Sequence, residues 1–368
     1  MNNKTIVVLS NVSAGLVNFR IELLQSLTKD YRVVVIAQDT GRKDELLKLG
    51  CEFINVKIER HGTNPLSELR LVTTYRKCIK KHKPFVVLSY TIKPNIYGGI
   101  ACRLTKTPYI PNVTGLGDAI ENKGLFSSIV RNLYKIGLRH AQIVFFQNQA
   151  NCDFFMVNSL YDVLPGSGVN LDKHCYEQYP DNNIMLPIVL SVIGRVTKDK
   201  GINEILEAAK RLKDLNLKIQ LIGDCEGNYI ESIREAERDG IITYLGRQDN
   251  VHQWITKSHA VLHASYHEGM ANVLLEAASC GRPILATNVP GCAETFDEGV
   301  SGFGFEPKNV ASLVETVERF IDLPHHKKVQ MGLAGRKKME ESFDRNIVIK
   351  RYIKAIKKIE REKQNESL

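Results

Sequence analysis

Short runs of β-branched and other apolar residues, each about one strand long, recur along the chain and alternate with stretches of helical apolar spacing. In the first half the strand candidates are Thr5–Ser10, Arg32–Ala37, Phe53–Val56, Phe85–Ser89, Tyr109–Val113 and Ile143–Gln147. Amphipathic stretches at Phe19–Lys29, Lys43–Leu49, Pro65–Lys81, Ile96–Leu104 and Phe126–Arg139 fall between them. In the second half strands are expected at Ile188–Ile193, Lys218–Ile222, Ile242–Leu245, Ala260–Ala264 and Pro283–Ala286. A strand that is apolar along its length must be covered on both faces, so such strands between helices predict parallel sheets.

Two successive series predict an α/β protein with two Rossmann-like, doubly wound parallel-sheet domains. A length of 368 residues suits two domains. The segment 171–187, LDKHCYEQYPDNNIMLP, is polar, carries two prolines and lacks periodicity, so it reads as a linker. The expected organisation is therefore residues 1–170, a linker, and residues 188–345. A last amphipathic helix over 346–368, with Ile349, Ile353 and Ile356 on one side, is expected to return to the first domain.

The net charge of +9 is not spread evenly. Residues 1–185 hold 23 basic and 15 acidic residues, residues 186–345 hold 20 and 23, and residues 346–368 hold 7 and 3. An excess confined to one half and the tail suggests an anionic partner there: nucleic acid, a membrane surface or a phosphorylated acceptor. Solubility alone is the plainer explanation. Eight cysteines form no C-x-x-C pair, and Cys51, Cys102 and Cys280 lie in apolar runs. That pattern fits free thiols in a reducing compartment better than a disulfide or zinc framework. The first residues lack a signal-peptide layout and the longest apolar runs are far below the ~18 residues of a membrane span. A cytoplasmic protein is expected, one that could still rest on a membrane.

Ligands of doubly wound sheets bind at the carboxyl ends of strands. After the first strand comes NVSAGLVNFR, where Gly15 would let the backbone approach a phosphate or serve a plain tight turn. Neither a G-x-G-x-x-G fingerprint nor a Walker A loop is present. The first strand of the second half ends in Gly194 and Arg195, with Lys200 in the same turn. An arginine fork and a lysine point charge suit a diphosphate, though two exposed loop cations would look the same. The segment AVLHASYHEGMANVLLEAASCGRP has a strand, a loop with Glu268 and Gly269, and a helix from about Asn272 to Cys280. Asn272 is the expected N-cap. Amides of the helix start would favour a phosphate. Glu276 lies among Leu274, Leu275, Ala277 and Ala278, and a carboxylate there needs a reason. Glu268 and Glu276 are too far apart for a glycosidase pair if the spacing is helical, at ~12 Å against ~5–9.5 Å. Hydrogen bonding to vicinal hydroxyls suits them better.

The E-x7-E pattern at Glu268 and Glu276, the GR…K-G turn at Arg195–Gly201 and GCAE-T…G-x-S-G-F at Gly291–Phe303 resemble the family 4 glycosyltransferases, retaining enzymes of the GT-B fold. SYTIKPNIYG at Ser89–Gly98 and PNVTGLGDAI at Pro111–Ile120 resemble bacterial members that extend undecaprenyl-diphosphate-linked sugars. The resemblance implies two domains facing a cleft and transfer of a hexose or N-acetylhexosamine, with α-1,3-linked GalNAc the best single choice. A UDP-sugar is the implied donor and a polyprenyl-diphosphate-linked sugar the acceptor. It assigns the donor diphosphate to Arg195 and Lys200, the transferred sugar to Glu268 and the ribose to Glu276. Backbone amides of Gly269, Met270, Ala271, Asn272 and Val273 would assist, with Gly15 packing on the phosphate. Gly194 and Gly223, with Asp224 and the Gly246–Arg247 turn, would border the nucleotide.

Many members carry a histidine at the end of a first-domain strand, and this chain reads Val113-Thr114-Gly115-Leu116-Gly117-Asp118 there. Lys93, Asn95, Thr114 and Asp118 are the acceptor-side candidates in its place. His259, His263 and His267 read as structural. No D-x-D motif occurs, and the fold generally works without a metal, so no cofactor is expected. Arg131, Lys135 and Arg139 share one face of a helix and suit an anionic membrane surface, which predicts a peripheral protein on the cytoplasmic side of a bacterial inner membrane. A UDP-sugar epimerase, or transfer from UDP-Gal, UDP-GlcNAc or a uronic acid donor, is the alternative. A nucleic-acid-binding module would need exposed aromatics and a recognition motif that the sequence lacks.

Overall fold

The computed structural model describes residues 4–59, 64–115, 125–155, 159–181, 185–240 and 242–365. The chain divides into two compact units, Met1–Ser167 with Val348–Leu368, and Gly168–Ile347. The first unit holds β1 (Thr5–Val12), β2 (Arg32–Gln38), β3 (Glu52–Asn55), β4 (Val86–Tyr90), β5 (Tyr109–Val113), β6 (Val144–Phe146) and β7 (Tyr161–Val163). Their spatial order is β3-β2-β1-β4-β5-β6-β7, every pairing parallel. β1 and β4 are buried along most of their length because helices cover both faces.

One face of this sheet carries Ile6, Val8, Val33 and Val35 against the helix Ser13–Leu27 and the last helix, Arg345–Asn365. Val348, Tyr352, Ile356 and Ile359 of that last helix enter the core at helical spacing. The Tyr352 hydroxyl accepts from Asn112 Nδ2 at 2.8 Å and its ring lies 4.7 Å from Phe145. Glu360 takes Lys4 Nζ at 2.7 Å and the Tyr31 hydroxyl at 3.1 Å. The opposite face packs Val7, Leu9, Val34 and Val87 against Pro65–His82 and Gly99–Thr105.

The second unit holds β8 (Ile188–Ile193), β9 (Leu217–Ile222), β10 (Ile242–Gly246), β11 (Ala260–His263), β12 (Ile284–Thr287) and β13 (Gly302–Phe305). The order is β10-β9-β8-β11-β12-β13, again wholly parallel. β7 and β13 were not expected from sequence. β7 has three residues, and β13 reads GFGF, where glycine removes half of the side-chain signal.

Residues 171–181, read from sequence as the beginning of a linker, form with 168–170 a strap held against the second unit. Arg282 is fully buried beneath it. Its guanidinium donates to the carbonyls of Glu177, Gln178, Thr256 and Cys280 at 2.6–2.9 Å. Those carbonyls solvate a charge that burial would otherwise expel.

Candidate active site

In each sheet the strand order reverses beside the first strand, at β1/β4 and at β8/β11. Such switch points open a crevice at the carboxyl ends of the strands. At β8/β11 the chain places most of its chemistry. β8 ends in Gly194, whose φ of +151° admits glycine and little else. Gly223 ends β9 with φ +147°, and a Cβ there would lie 1.9 Å from the Gly194 carbonyl oxygen. The two glycines let the strand ends converge.

After Arg195 and Val196 the chain makes a 3-10 turn, Lys198–Lys200. Gly201 closes it at φ +70°, where a Cβ would strike the carbonyl of Ala264. The turn is sewn to the loop after β11. The Asp199 carbonyl accepts from the Tyr266 amide at 2.9 Å and from the Ser265 hydroxyl at 3.3 Å. These bonds bring Lys200 Nζ to 2.5 Å from Glu268 Oε1. The same oxygen lies 3.0 Å from His263 Nε2, at the end of β11. Burial would raise the Glu268 carboxyl, but the His263 hydrogen bond and the Lys200 charge outweigh it and hold it well below the usual range. Gly291 (φ +84°) supports Glu268 from behind, since a Cβ would stand 2.6 Å from the Glu268 carbonyl oxygen. A shallow recess is lined by Gly194, Arg195, Lys200 and His263.

The helix Asn272–Ser279 begins beside this loop. Its cap is Ala271, not Asn272, and no side chain caps it. The amide of Ala271 donates to the Gly291 carbonyl at 2.8 Å, so it is not a donor for a ligand. The amides of Asn272 and Val273 have no acceptor inside the helix. Asn272 is the first helical residue. Its Nδ2 donates to the Met270 carbonyl at 3.3 Å, while its Oδ1 is buried and accepts no hydrogen bond. Met270 is a core side chain, which leaves only its backbone for a ligand. Gly269, also in the loop, is buried. Glu276 keeps a quarter of its side chain in solvent, and burial of the rest pushes its carboxyl up to about 7. It faces His174 Nε2 at 3.8 Å.

Arg195 is half exposed and pairs with Glu226 at 3.2 Å. Asp224 and Arg247 form an exposed pair at 3.6 Å at the ends of β9 and β10. Thr197, the residue before the 3-10 turn, has a buried hydroxyl with no hydrogen-bond partner. It and His263 were missed as site candidates by sequence reasoning. His259 behaves as expected of a structural residue: its Nδ1 accepts from the Val189 amide at 3.0 Å.

In the first unit several expectations change. Gly15 does not precede its helix but lies in the first turn of Ser13–Leu27, where a Cβ would meet only Val12 Cγ2 at 3.7 Å. Lys93 is committed to Glu68, at 2.5 Å with both side chains 12% exposed. Asn95 is fully buried: its Oδ1 accepts from Ser89, its Nδ2 donates to the Asn112 carbonyl, and its own carbonyl accepts from Tyr109. It pins the core and presents nothing to an acceptor. Thr114 is partly exposed at the end of β5, and Asp118 lies outside the described residues. Thr91, after β4, was not singled out, yet it is a β-branched residue at φ +72°, a strained conformation at the first unit's switch point. Arg131 does not face outward. Its guanidinium covers the Phe154 ring at 4.7 Å and donates to the Phe154 carbonyl. Lys135 and Arg139 are exposed.

Two parallel sheets, each with a switch point, are the frame of a two-domain glycosyltransferase, and the similarity to known proteins gives that class. The family described as "Glycosyl transferase 4-like" matches residues 5–148, and that described as "Glycosyl transferases group 1" matches residues 180–338. The chain belongs to these glycosyltransferases and has the GT-B fold. It is 27% identical to the N,N'-diacetylbacillosaminyl-diphospho-undecaprenol alpha-1,3-N-acetylgalactosaminyltransferase of Campylobacter jejuni, over 94% of this chain and 96% of that one. It is 25% identical to the capsular polysaccharide biosynthesis glycosyltransferase CapM of Staphylococcus aureus, over 95% of each. Among solved structures, Anabaena Alr3699/HepE in complex with UDP and glucose superposes with a TM-score of 0.78 at 18% identity, over 97% of this chain and all of the other.

Proposed function

We propose that the protein transfers a sugar from a UDP-sugar to an undecaprenyl-diphosphate-linked acceptor, with retention of anomeric configuration. N-acetylgalactosamine, α-1,3-linked, is the first choice, on the name of the Campylobacter relative. The observation that carries the reading is the Lys200–Glu268–His263 cluster at the β8/β11 switch point, next to the free first-turn amides of Asn272 and Val273. Arg195, Lys200 and those amides supply the positive potential that a leaving diphosphate needs. Glu268, held ionised, accepts hydroxyls of the transferred sugar, and Glu276 those of the ribose. With no nucleophile evident, the reaction is a same-face displacement. The sugar–diphosphate bond breaks, the acceptor oxygen bonds to the same face, and the leaving diphosphate oxygen takes its proton. The protein contributes positioning and charge stabilisation, and activity persists in EDTA.

Among the described residues no helix is long and apolar enough to cross a membrane. The helix Leu125–Leu138 instead exposes Ile129 and Ile136 beside Lys135. We assign this edge to contact with anionic lipid around the acceptor, tested by flotation with and without anionic lipid. The reaction is tested with a panel of radiolabelled UDP-sugars and lipid-linked acceptor. Label in the butanol-extractable lipid supports transfer. Conversion of one UDP-sugar to its epimer without lipid labelling overturns it.

A further inference from the structure

Away from the switch point, three segments of the second unit bring metal-ligating side chains together. The strap supplies His174, the short helix His252–Thr256 supplies its first residue, and Cys280 caps the helix Asn272–Ser279. The ring nitrogens of the two histidines and the Cys280 sulfur all lie within 4.8 Å of one another. Cys280 Sγ is 3.4 Å from His252 Nδ1, and the two imidazole rings meet edge-on at 5.9 Å. A second trio, Cys175, Glu177 and His252, satisfies the same limit and shares His252.

We propose that His174, His252 and Cys280 form a site for a divalent transition metal of the zinc class, with Glu177 as fourth ligand. Ligand atoms around a tetrahedral zinc stand about 3.5 Å apart, given bonds of ~2.0–2.3 Å. Side-chain rotation closes the remaining gap. Two imidazoles and a thiolate are a borderline-soft set, which selects zinc-like ions over magnesium or calcium.

The two trios divide the work by burial. His174 and Cys280 are buried, His252 is half-buried, and Cys175 and Glu177 are exposed. An ion therefore meets the outer pair first and passes inward past His252. The inner ligands are held in place. The His174 carbonyl accepts from the Ser279 hydroxyl at 2.5 Å and from Arg336 Nη1 at 3.2 Å. Arg282 fixes the strap to the Cys280 carbonyl. Burial pushes the Cys280 thiol up to about 12, so binding forms a metal–sulfur bond and releases the thiol proton to solvent. The chain spacing of 174, 252 and 280 hides this cluster from any motif. It shares no residue with the Lys200–Glu268–His263 cluster, and His174 Nε2 lies 3.8 Å from Glu276.

The test uses the full chain, reduced and stripped with chelator, titrated with Co2+ and then Zn2+. One equivalent of Co2+ should give a thiolate-to-cobalt charge-transfer band that Zn2+ displaces, and Zn2+ should raise Tm. Cys280→Ser should abolish the band, and His252→Asn should weaken Co2+ binding at least tenfold. Cys102→Ser, on the other unit, should change neither. Should Cys280→Ser fail to fold, His252→Asn carries the test, because its half-buried site tolerates the change. A stripped protein with no band, or a band that survives Cys280→Ser or His252→Asn and vanishes with Cys175→Ser, overturns the proposal in favour of a surface thiol.

Discussion

Lys200 and Glu268 stand 68 residues apart in sequence and 2.5 Å apart in space, tying the turn after β8 to the loop after β11. Neither group is fully exposed, so removing one leaves the other partly buried without its ionic partner. Lys200→Ala and Glu268→Gln should each lower kcat by two or more orders of magnitude. In a double-mutant cycle the second change should cost far less than the first. Arg195→Ala should also fall by orders of magnitude, through loss of a diphosphate contact. Near-normal turnover in Lys200→Ala would sink the diphosphate assignment. Because the Glu268 carboxyl is depressed, its stabilising effect is present above about 4.5, the unfolded value, and is lost as pH falls below it.

His263 should act through Glu268. His263→Ala should lower kcat about 10–100-fold while donor KM changes little, and His263→Gln should recover part of the loss. Equal losses in both variants, with a matching fall in Tm, would reduce His263 to packing.

That residue also marks where the sequence stops being readable. The strands that carry the site, β8, β9 and β11, are apolar runs long enough to stand out, and the E-x7-E loop is local. His263 ends a buried strand, where a histidine looks like core until Glu268 is seen beside it. Lys93 and Asn95 failed in the opposite sense. Both follow a strand end, as ligand-binding residues do, but their partners Glu68 and Asn112 come from other segments. Asn272 preceded an apolar run and so resembled a cap, whereas the helix starts one residue earlier than that pattern implies.

Asn272 offers a separate test. Its buried Oδ1 has no partner, a cost that a ligand amide or hydroxyl would remove. Asn272→Leu should leave Tm unchanged or raise it, while UDP binding measured by calorimetry weakens about tenfold. A lower Tm with unchanged UDP affinity would contradict a ligand-facing role.

His259 sets an acid limit on stability. Burial, aided by Lys328 and Arg282, lowers its imidazole to about 4 from an ordinary 6.5. The unfolded chain then binds the extra proton between those values, so stability is full above about 6.5 and drains away as pH falls towards 4. The loss should be about 1–2 kcal/mol, below the full shift because the ring is partly exposed. Urea unfolding of His259→Asn, whose Oδ1 can still accept the Val189 amide, should show a flatter slope across that window. An unchanged slope would assign the acid sensitivity elsewhere.

The last helix has a consequence for synthesis. Tyr352, Ile356 and Ile359 complete the core of a sheet whose strands all lie before residue 164. The second unit is contiguous and can finish its own core while the ribosome still holds the tail. The first unit, translated earlier, stays one helix short until Arg345–Asn365 has been made. A nascent chain arrested before residue 348 therefore carries an open apolar face on its oldest part, and that is the interval in which a chaperone would have most to do.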